Sequence, residues 1–285
     1  MLRLFKAFLF RLRRDLTFRI TLFIGIGMAI FMTILYLVLE YTLNADYEEG
    51  DTSIKMLTGQ GMLISSLSPV QNFGIAIPVN LISFTIIEFT HGTIRNKIIA
   101  GNSKGKIYAS LFLSGLIFSI ALIIVYALLC TLLGTIFGGF KPDNGYNVLP
   151  SVSGYNSAMV SDQYIVRIII VSLMSYVSIT SFAVLIATLT RQIGGAIPIV
   201  IIGILFCYLI GTGVYVASVF ANIEDIVNVI RILNPLYALS EQSTTDDGYQ
   251  IMKDVTFYSA LINNAVYAAL FFMAGLLIFK KRDVK

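Results

Sequence analysis

Six long stretches without a single charged residue constrain this chain more than any other feature of its sequence. Each stretch holds at least the ~20 residues that a helix needs to cross ~30 Å of hydrocarbon, and none holds two such helices with a turn. Only 13% of the 285 residues are charged, against about 25% in soluble domains. We therefore predict an all-α integral membrane protein, a single transmembrane domain over residues 1–285, with spans at about 18–39, 66–88, 107–134, 166–190, 194–218 and 255–279.

The distribution of Lys and Arg predicts how the chain is oriented. With both termini in the cytoplasm, 15 of the 20 basic residues and only three of the 16 acidic residues fall on the inner side. Basic residues accumulate in cytoplasmic loops, so we expect a multi-pass plasma-membrane protein with both termini cytoplasmic. The pI near 9.0 then reflects topology, and no nucleic-acid partner is expected.

Segments outside the spans carry weaker signals. Residues 1–16 place apolar side chains on one side of a helix and basic ones on the other, which predicts a helix lying in the bilayer interface. A signal peptide is the competing interpretation. Residues 140–166 are expected to form an ordered loop or short turns. The Ile and Val spacing over 223–230 predicts short extracellular helices before the sixth span, either re-entrant or capping the outer mouth.

Catalytic and metal-binding constellations are missing from the sequence. His91 is the only histidine, so a histidine-based metal site or a Ser-His-Asp triad cannot be assembled. The segment 101–106 has the wrong spacing for a nucleotide-binding loop. Cys130 and Cys207 fall inside spans and are expected to pack as small apolar residues. We expect no catalytic residue, no metal and no cofactor bound by this chain, which is then not itself an enzyme.

The polar residues within the spans are neutral. They are concentrated in the second and sixth spans, as Gln71, Asn72, Asn80, Ser83 and Thr85, and as Asn263, Asn264 and Tyr267. These residues either form hydrogen bonds between helices or, in the second span, line a path. A charge at the middle of a span costs roughly 2.5–3.5 kcal/mol, and the absence of such charges disfavours a proton-coupled pump and a charge-selective channel.

The segment 88–106 is the longest basic interruption between two spans. Glu88 ends the second span, and a short helix that begins at Gly92-Thr93 is predicted to end at Gly101-Asn102. Arg95 and Lys97 are expected to be exposed on this helix. The segment is either an ordinary positive-inside loop or a surface on which another protein acts, and the residue pattern alone leaves both interpretations open.

The same segment resembles a known pattern. Glu88, then Gly92-Thr93-Ile94, then Ser103-Lys104 and Tyr108 are similar to the box after the second helix in the permease subunits of type 2 ABC exporters. The interfacial helix, the six spans and the tight turn at Arg191 are similar too, so the resemblance covers the whole chain. Two positions depart from the pattern: Phe112, where many members carry a basic residue, and Asn102, where a proline often stands.

The resemblance implies that residues 88–106 form a coupling segment whose helix sits in a cleft of a separate ATPase subunit. The implied site residues are Glu88, His91, Gly92, Thr93, Ile94, Arg95, Lys97, Ser103 and Lys104, with Arg191 as a second, smaller contact. Two permease copies, identical or related, and two ATPase copies would form the complex, with ATP and Mg bound by the ATPase. The second and fifth spans would enclose the route, so Asn72, Asn80, Ser83, Thr85, Phe206 and Tyr208 are the candidates that line it.

The function implied by the resemblance is outward transport of amphipathic or hydrophobic cargo by alternating access, in the plasma membrane of a bacterium. Members of this size and composition resemble exporters of peptides such as antimicrobial or cytolytic peptides. A membrane channel or assembly factor that works without an ATPase is the alternative. An intramembrane enzyme is disfavoured, because the chain has one histidine and no charge deep in a span. A stoichiometric ATPase in the purified complex would distinguish the exporter from the channel.

Overall fold

The computed structural model describes residues 5–8, 10, 16–44, 57–69, 74–141, 147–151, 154–220, 224–236, 239, 243–244 and 249–281. Its helices are α1 (Leu16–Asn44), α2 (Gly59–Leu67), α3 (Ala76–Thr90), α4 (Thr93–Ile99), α5 (Lys104–Gly138), α6 (Asp162–Thr190), α7 (Ile193–Phe220), α8 (Glu224–Leu233) and α9 (Asp254–Lys281). Within these described residues, α1, α5, α6, α7 and α9 are long and apolar enough to cross a membrane. The prediction of a helical, multi-pass membrane protein is confirmed at this level.

Local signals explain where the fourth predicted span begins and ends. The Ser161 hydroxyl accepts a hydrogen bond from the Tyr164 N–H at 3.1 Å and caps the start of α6. Asp162 places a negative charge in the first turn, where the helix dipole favours it. Arg191 ends α6 with a left-handed φ of 52°. Because α7 begins at Ile193, the two helices are joined by the short turn that the sequence predicts.

Helix α5 contacts five other helices, α1, α2, α3, α6 and α9. α1 runs parallel to it, since the Phe18 and Phe118 ring centroids lie 5.3 Å apart and Leu22 lies near Leu122. With 35 residues, α5 is about 52 Å long, which exceeds the ~30 Å of hydrocarbon. It therefore extends beyond the hydrocarbon and can carry contacts at its ends.

The predicted second span, 66–88, is not one continuous helix. α2 ends at Leu67, and Ser68 is extended, with φ −68° and ψ 126°. The reason is Pro69, since a proline disfavours the helical conformation of the residue before it. α3 begins only at Ala76, and its 15 residues are too few to cross the hydrocarbon alone.

The two short helices nevertheless cover the distance that one span would. Both run antiparallel to α5, with Met62 against Gly134 and Leu81 against Gly115. The two contacts are separated by nineteen residues on each side, from Met62 to Leu81 and from Gly115 to Gly134, a distance of about 28 Å along α5. Together α2 and α3 therefore extend along about 28 Å of α5, although a break separates them.

A small sheet joins the connections at one end of the bundle. β1 (Asn147–Ser151) and β2 (Gly154–Val160) form a hairpin, and β3 (Ser243–Thr244) pairs with β4 (Tyr249–Ile251). β2 pairs with β4 in parallel, so the order is β1-β2-β4-β3. The sequence predicts an ordered loop or short turns over 140–166, and the structure instead has the hairpin of β1 and β2 within that segment. We call this end the sheet end, and the opposite end, which holds α4 and the start of α5, the basic end.

Glycines allow α2 to approach α5 closely near the sheet end. Gly134 and Gly138 are four residues apart on α5, the spacing that brings helices together in membranes. A Cβ on Gly134 would lie 2.8 Å from the Thr58 carbonyl oxygen, and one on Gly138 would overlap the Leu57 carbonyl oxygen. The Gly59 N–H donates to the Gly139 carbonyl at 2.9 Å, so the start of α2 is bonded to the end of α5.

We expect Gly138→Ala to destabilise the bundle by about 1–3 kcal/mol, because the added methyl group overlaps backbone and not a flexible side chain. Gly27→Ala is the matched control, since nothing lies within 4 Å of the position of its Cβ in α1. Thermal unfolding of the purified variants in detergent measures both. An unfolding temperature for Gly138→Ala equal to that of Gly27→Ala would show that α2 does not pack on α5 in this way.

Candidate functional site

The basic end begins where α3 turns into α4. The His91 and Gly92 N–H groups donate to the carbonyls of Ile87 and Phe89, at 3.0 and 3.1 Å, and these bonds end α3. Gly92 has a φ of +64°, a left-handed conformation that costs an L-residue about 1–2 kcal/mol. Nothing lies within 4 Å of the position that a Cβ would take. Gly92 is therefore required for its backbone conformation and not for space.

Glu88 lies just before this bend, and its side chain is fully buried. Its Oε2 accepts hydrogen bonds from the Thr93 hydroxyl at 2.6 Å and from the Lys97 ammonium at 3.1 Å. The Thr93 hydroxyl also lies 2.7 Å from the backbone carbonyl oxygen of Glu88. Because a buried carboxylate is stable only when it is paired and hydrogen-bonded, Glu88 fixes the position of α4 on the end of α3.

Lys97 points inward, so the prediction that it is exposed is wrong. Its side chain is 19% exposed, and its Nζ lies 3.2 Å from the ring centroid of Phe8. The reason is the buried carboxylate of Glu88, which needs a cation, while the Phe8 ring adds a cation–π attraction. Phe8 itself is fully buried. Of the predicted interfacial helix, residues 5–8 and 10 are helical, and residues 1–4, 9 and 11–15 lie outside the described residues.

One face of α4 is turned away from the rest of the protein. Ile94 is fully buried on the inner face. The outer face, which we call the coupling surface, consists of the exposed residues His91, Arg95, Asn96, Ile99 and Ala100. Ile99 is 73% exposed. The coupling surface therefore combines the cation Arg95, the hydrogen-bonding side chains of His91 and Asn96, and the exposed apolar side chain of Ile99.

The end of α4 is closed by a second left-handed glycine. Gly101 has a φ of +83°. Its N–H donates to the Ile98 carbonyl at 2.9 Å, and the Asn102 N–H donates to the Lys97 carbonyl at 3.2 Å, which is a Schellman motif. The Asn102 side-chain amide donates to the same Lys97 carbonyl at 3.0 Å. An asparagine thus closes the helix at the position where the resembled permeases often have proline.

The start of α5 is anchored to the end of α9. The Lys104 ammonium donates to the Lys280 carbonyl at 3.2 Å. Tyr108 is fully buried, and a methyl group on Gly275 of α9 would overlap its hydroxyl. Ser103 precedes α5, but its side chain makes no capping hydrogen bond. The start of α5 is therefore held against the end of α9 at the basic end.

Arg191 lies beside the same site. Its guanidinium carbon is 5.4 Å from the ring centroid of Phe89, the residue that follows Glu88. Phe89 also packs edge-on against Phe279 of α9, with centroids 5.9 Å apart. The α3–α4 bend and the α6–α7 turn thus lie together at the basic end, which is the arrangement that a shared partner would require.

Reactive groups are scarce in this region. Within the part of the chain that the structure describes, no three His, Cys, Asp or Glu side chains lie together as a metal site would require. Cys130 is buried and Cys207 half-buried, and both are free thiols. His91 is exposed on the coupling surface. What the geometry offers chemically is a surface for binding, held in place by one buried ion pair.

The pathway candidates are dispersed. Asn80 and Ser83 donate to carbonyls of their own helix, at 2.8 and 3.1 Å, and Thr85 is fully buried. On α7, Phe206 is exposed and Tyr208 half-buried. Asn72 lies outside the described residues. Of the five described candidates, Phe206 alone lines the large apolar cavity between α6, α7 and α9.

Polar residues within the spans hold the turn 233–236, which follows α8. The Asn264 amide and the Tyr267 hydroxyl of α9 donate to the carbonyls of residues 235 and 233, at 2.9 and 2.7 Å. From the opposite side, the Asn234 amide donates to the Cys207 carbonyl of α7 at 2.6 Å. Because these partners belong to two apolar, span-length helices, α8 leads into a turn that dips between them. The re-entrant alternative is therefore the one that the contacts favour.

Sequence reasoning missed three contacts that organise these regions. They are the Phe8 ring on Lys97, the approach of Tyr108 to Gly275, and the Ser178 hydroxyl, which donates to Asn264 Oδ1 at 2.7 Å. One signal was available for the last of these. An asparagine within a span needs a partner in the bilayer, and a serine on a neighbouring span can provide it.

We expect Lys97→Met to destabilise the basic end by about 3–5 kcal/mol, because it leaves the buried Glu88 carboxylate without its cation. Arg95→Met is the matched control, since it removes an exposed cation from the same helix. Hydrogen exchange over residues 93–100 reports the local effect. Adding Glu88→Gln to Lys97→Met should restore much of the protection. Equal exchange in the two single variants would show that the pair does not hold α4.

Comparison with protein families places the chain in one of them. The family model described as Protein of unknown function (DUF2705) matches residues 20–285. The match covers most of the chain, so the chain belongs to this family. No curated protein matches the chain.

Proposed function

We propose that this member of the DUF2705 family is the transmembrane subunit of a type 2 ABC exporter. The observation that carries the proposal is the coupling surface. It is the exposed face of α4 at the basic end, and α4 is held in place by the buried Glu88 carboxylate, which accepts a hydrogen bond from Lys97. An ordinary positive-inside loop has no need of a buried ion pair. A helix on which a motor subunit acts must be held rigidly, and the pair of Glu88 and Lys97 holds α4 on α3.

The contacts at the basic end support transmission of that force. α4 is joined to α3 through Glu88 and Lys97, and α5 is joined to α9 through the Lys104 ammonium and the Lys280 carbonyl. A displacement of the coupling surface would therefore move several helices together. Arg191, which lies against Phe89, would be a second point of contact for the same ATPase.

In the proposed topology α2 and α3 together form the second of six spans. Both termini and the basic end then lie in the cytoplasm of a bacterial cell, as the bias of Lys and Arg indicates. Two permease copies, identical or related, face each other in the plasma membrane, and each binds one ATPase subunit. The ATPase subunits bind ATP and Mg, and their closure moves the permease between inward-open and outward-open states.

The proposed cargo is amphipathic or hydrophobic. The spans carry no charged residue at their middle, and a proton or ion relay would require ionisable groups there. Peptides such as antimicrobial or cytolytic peptides combine apolar and charged faces and are amphipathic in this sense.

The first test is purification of the full-length chain from its own membrane in a mild detergent. We expect a stoichiometric second subunit that carries a nucleotide-binding loop and hydrolyses ATP. A pure homo-oligomer that conducts ions in a planar bilayer would overturn the exporter and support the channel instead.

We expect Arg95→Glu and Ile99→Asp, separately, to abolish co-purification of the ATPase while the fold persists. Both side chains lie on the coupling surface and are exposed, so a charge there disturbs a partner and not the core. The control is Lys106→Glu, which reverses an exposed charge on α5 outside the coupling surface. Stoichiometric ATPase in both variants would rule out α4 as its docking site.

A further inference from the structure

A cavity of about 350 Å³ lies between α6, α7 and α9, near the middle of each helix. Its walls are almost entirely carbon and include Ile179, Phe182, Ile204, Ile210 and Phe271. On the side of the sheet end, the turn 233–236 covers it. The volume falls in the range of ligand sites, which is roughly 300–1,000 Å³.

The polar groups in the cavity wall already have partners. The Ser178 hydroxyl donates to Asn264 Oδ1, and the Tyr267 hydroxyl donates to the carbonyl of Leu233. The Asn234 amide donates to the Cys207 carbonyl, and its Oδ1 accepts from the N–H of residue 236 at 3.0 Å. A ligand with peptide or sugar groups would bury them without partners, at a cost of roughly 1–3 kcal/mol for each. The cavity therefore suits a ligand segment that is hydrocarbon alone.

The cavity opens toward the exposed face of α7. Phe206 and Leu233, which both line it, are 62% and 56% exposed. Cys207 lies beside Phe206 in the middle of a helix that is apolar and long enough to span. At that depth a face of α7 that no second copy covers meets the hydrocarbon tails of the bilayer, so an acyl chain can reach the mouth of the cavity.

We propose that this cavity binds one acyl chain of a membrane phospholipid, which enters past Phe206 and packs beneath the turn 233–236. The headgroup stays outside, in the interface. A bound acyl chain fills the space between α6, α7 and α9 and packs against the turn 233–236. Lipid binding here needs neither an ATPase nor a cargo, so it is tested on the purified chain alone, and its failure would leave the exporter proposal standing.

The test is photolabelling of the purified full-length chain in vesicles of phosphatidylethanolamine and phosphatidylglycerol. The vesicles are doped with phosphatidylcholine whose acyl chain carries a diazirine, either in the middle of the chain or next to the glycerol. We expect the mid-chain probe to label Ile179 and Cys207, and the glycerol-proximal probe to leave both unlabelled. Equal labelling of Ile179 and Cys207 by the two probes, or labelling by neither probe, would overturn the proposal. This arm of the test uses the wild-type chain and requires no variant.

Cavity-filling variants provide the second arm. Cys207→Phe and Ile210→Phe each add a ring to the cavity, and we expect each to lose most of the mid-chain labelling at Ile179. Leu128, an exposed residue of α5 that faces away from the cavity walls, is the internal control and should be labelled equally in all chains. Unchanged labelling of Ile179 in a variant that remains monodisperse would show that the label does not come from within the cavity.

Discussion

The burial of one carboxylate controls the geometry of the basic end. Glu88 has no exposed surface, and its Oε2 accepts from Thr93 and Lys97 of the next helix. An unpaired charge in that position would cost several kcal/mol, so α4 cannot swing away from α3 without exposing the carboxylate to water. Two left-handed glycines, Gly92 and Gly101, make the tight turns on either side of α4. The glycine turns alone would leave α4 loosely attached. The ion pair between Glu88 and Lys97 fixes α4 against α3.

The break in the second span separates two units with different attachments. α2 is bonded to the sheet end of α5, where the Gly59 N–H donates to the Gly139 carbonyl. α3 is tied to the basic end through Glu88. Between them the helix is interrupted at Ser68 and Pro69, so no continuous helical hydrogen-bond ladder connects the two ends. A displacement at the basic end can therefore move α3 while α2 stays bonded to α5.

The elements that hydropathy determines could be predicted, and those that depend on tertiary contacts could not. Burial of twenty apolar residues in hydrocarbon outweighs local detail, which is why five of the predicted spans correspond to span-length helices. Pro69 marks the break in the second span, yet the charge-free run continues through it and conceals the two separate helices. At the site, the glycine turns follow from sequence. The inward direction of Lys97 does not, because it depends on the burial of Glu88 nine residues away.

Helix α9 links the basic end to the cavity in the middle of the bundle. Its Lys280 carbonyl accepts the bond from Lys104, and its Asn264 and Tyr267 hold the turn that covers the cavity. Tyr267 and Lys280 are thirteen residues apart in one uninterrupted helix, a distance of about 20 Å. One uninterrupted helix therefore makes both sets of contacts, and its length sets the separation between the bond from Lys104 and the turn 233–236.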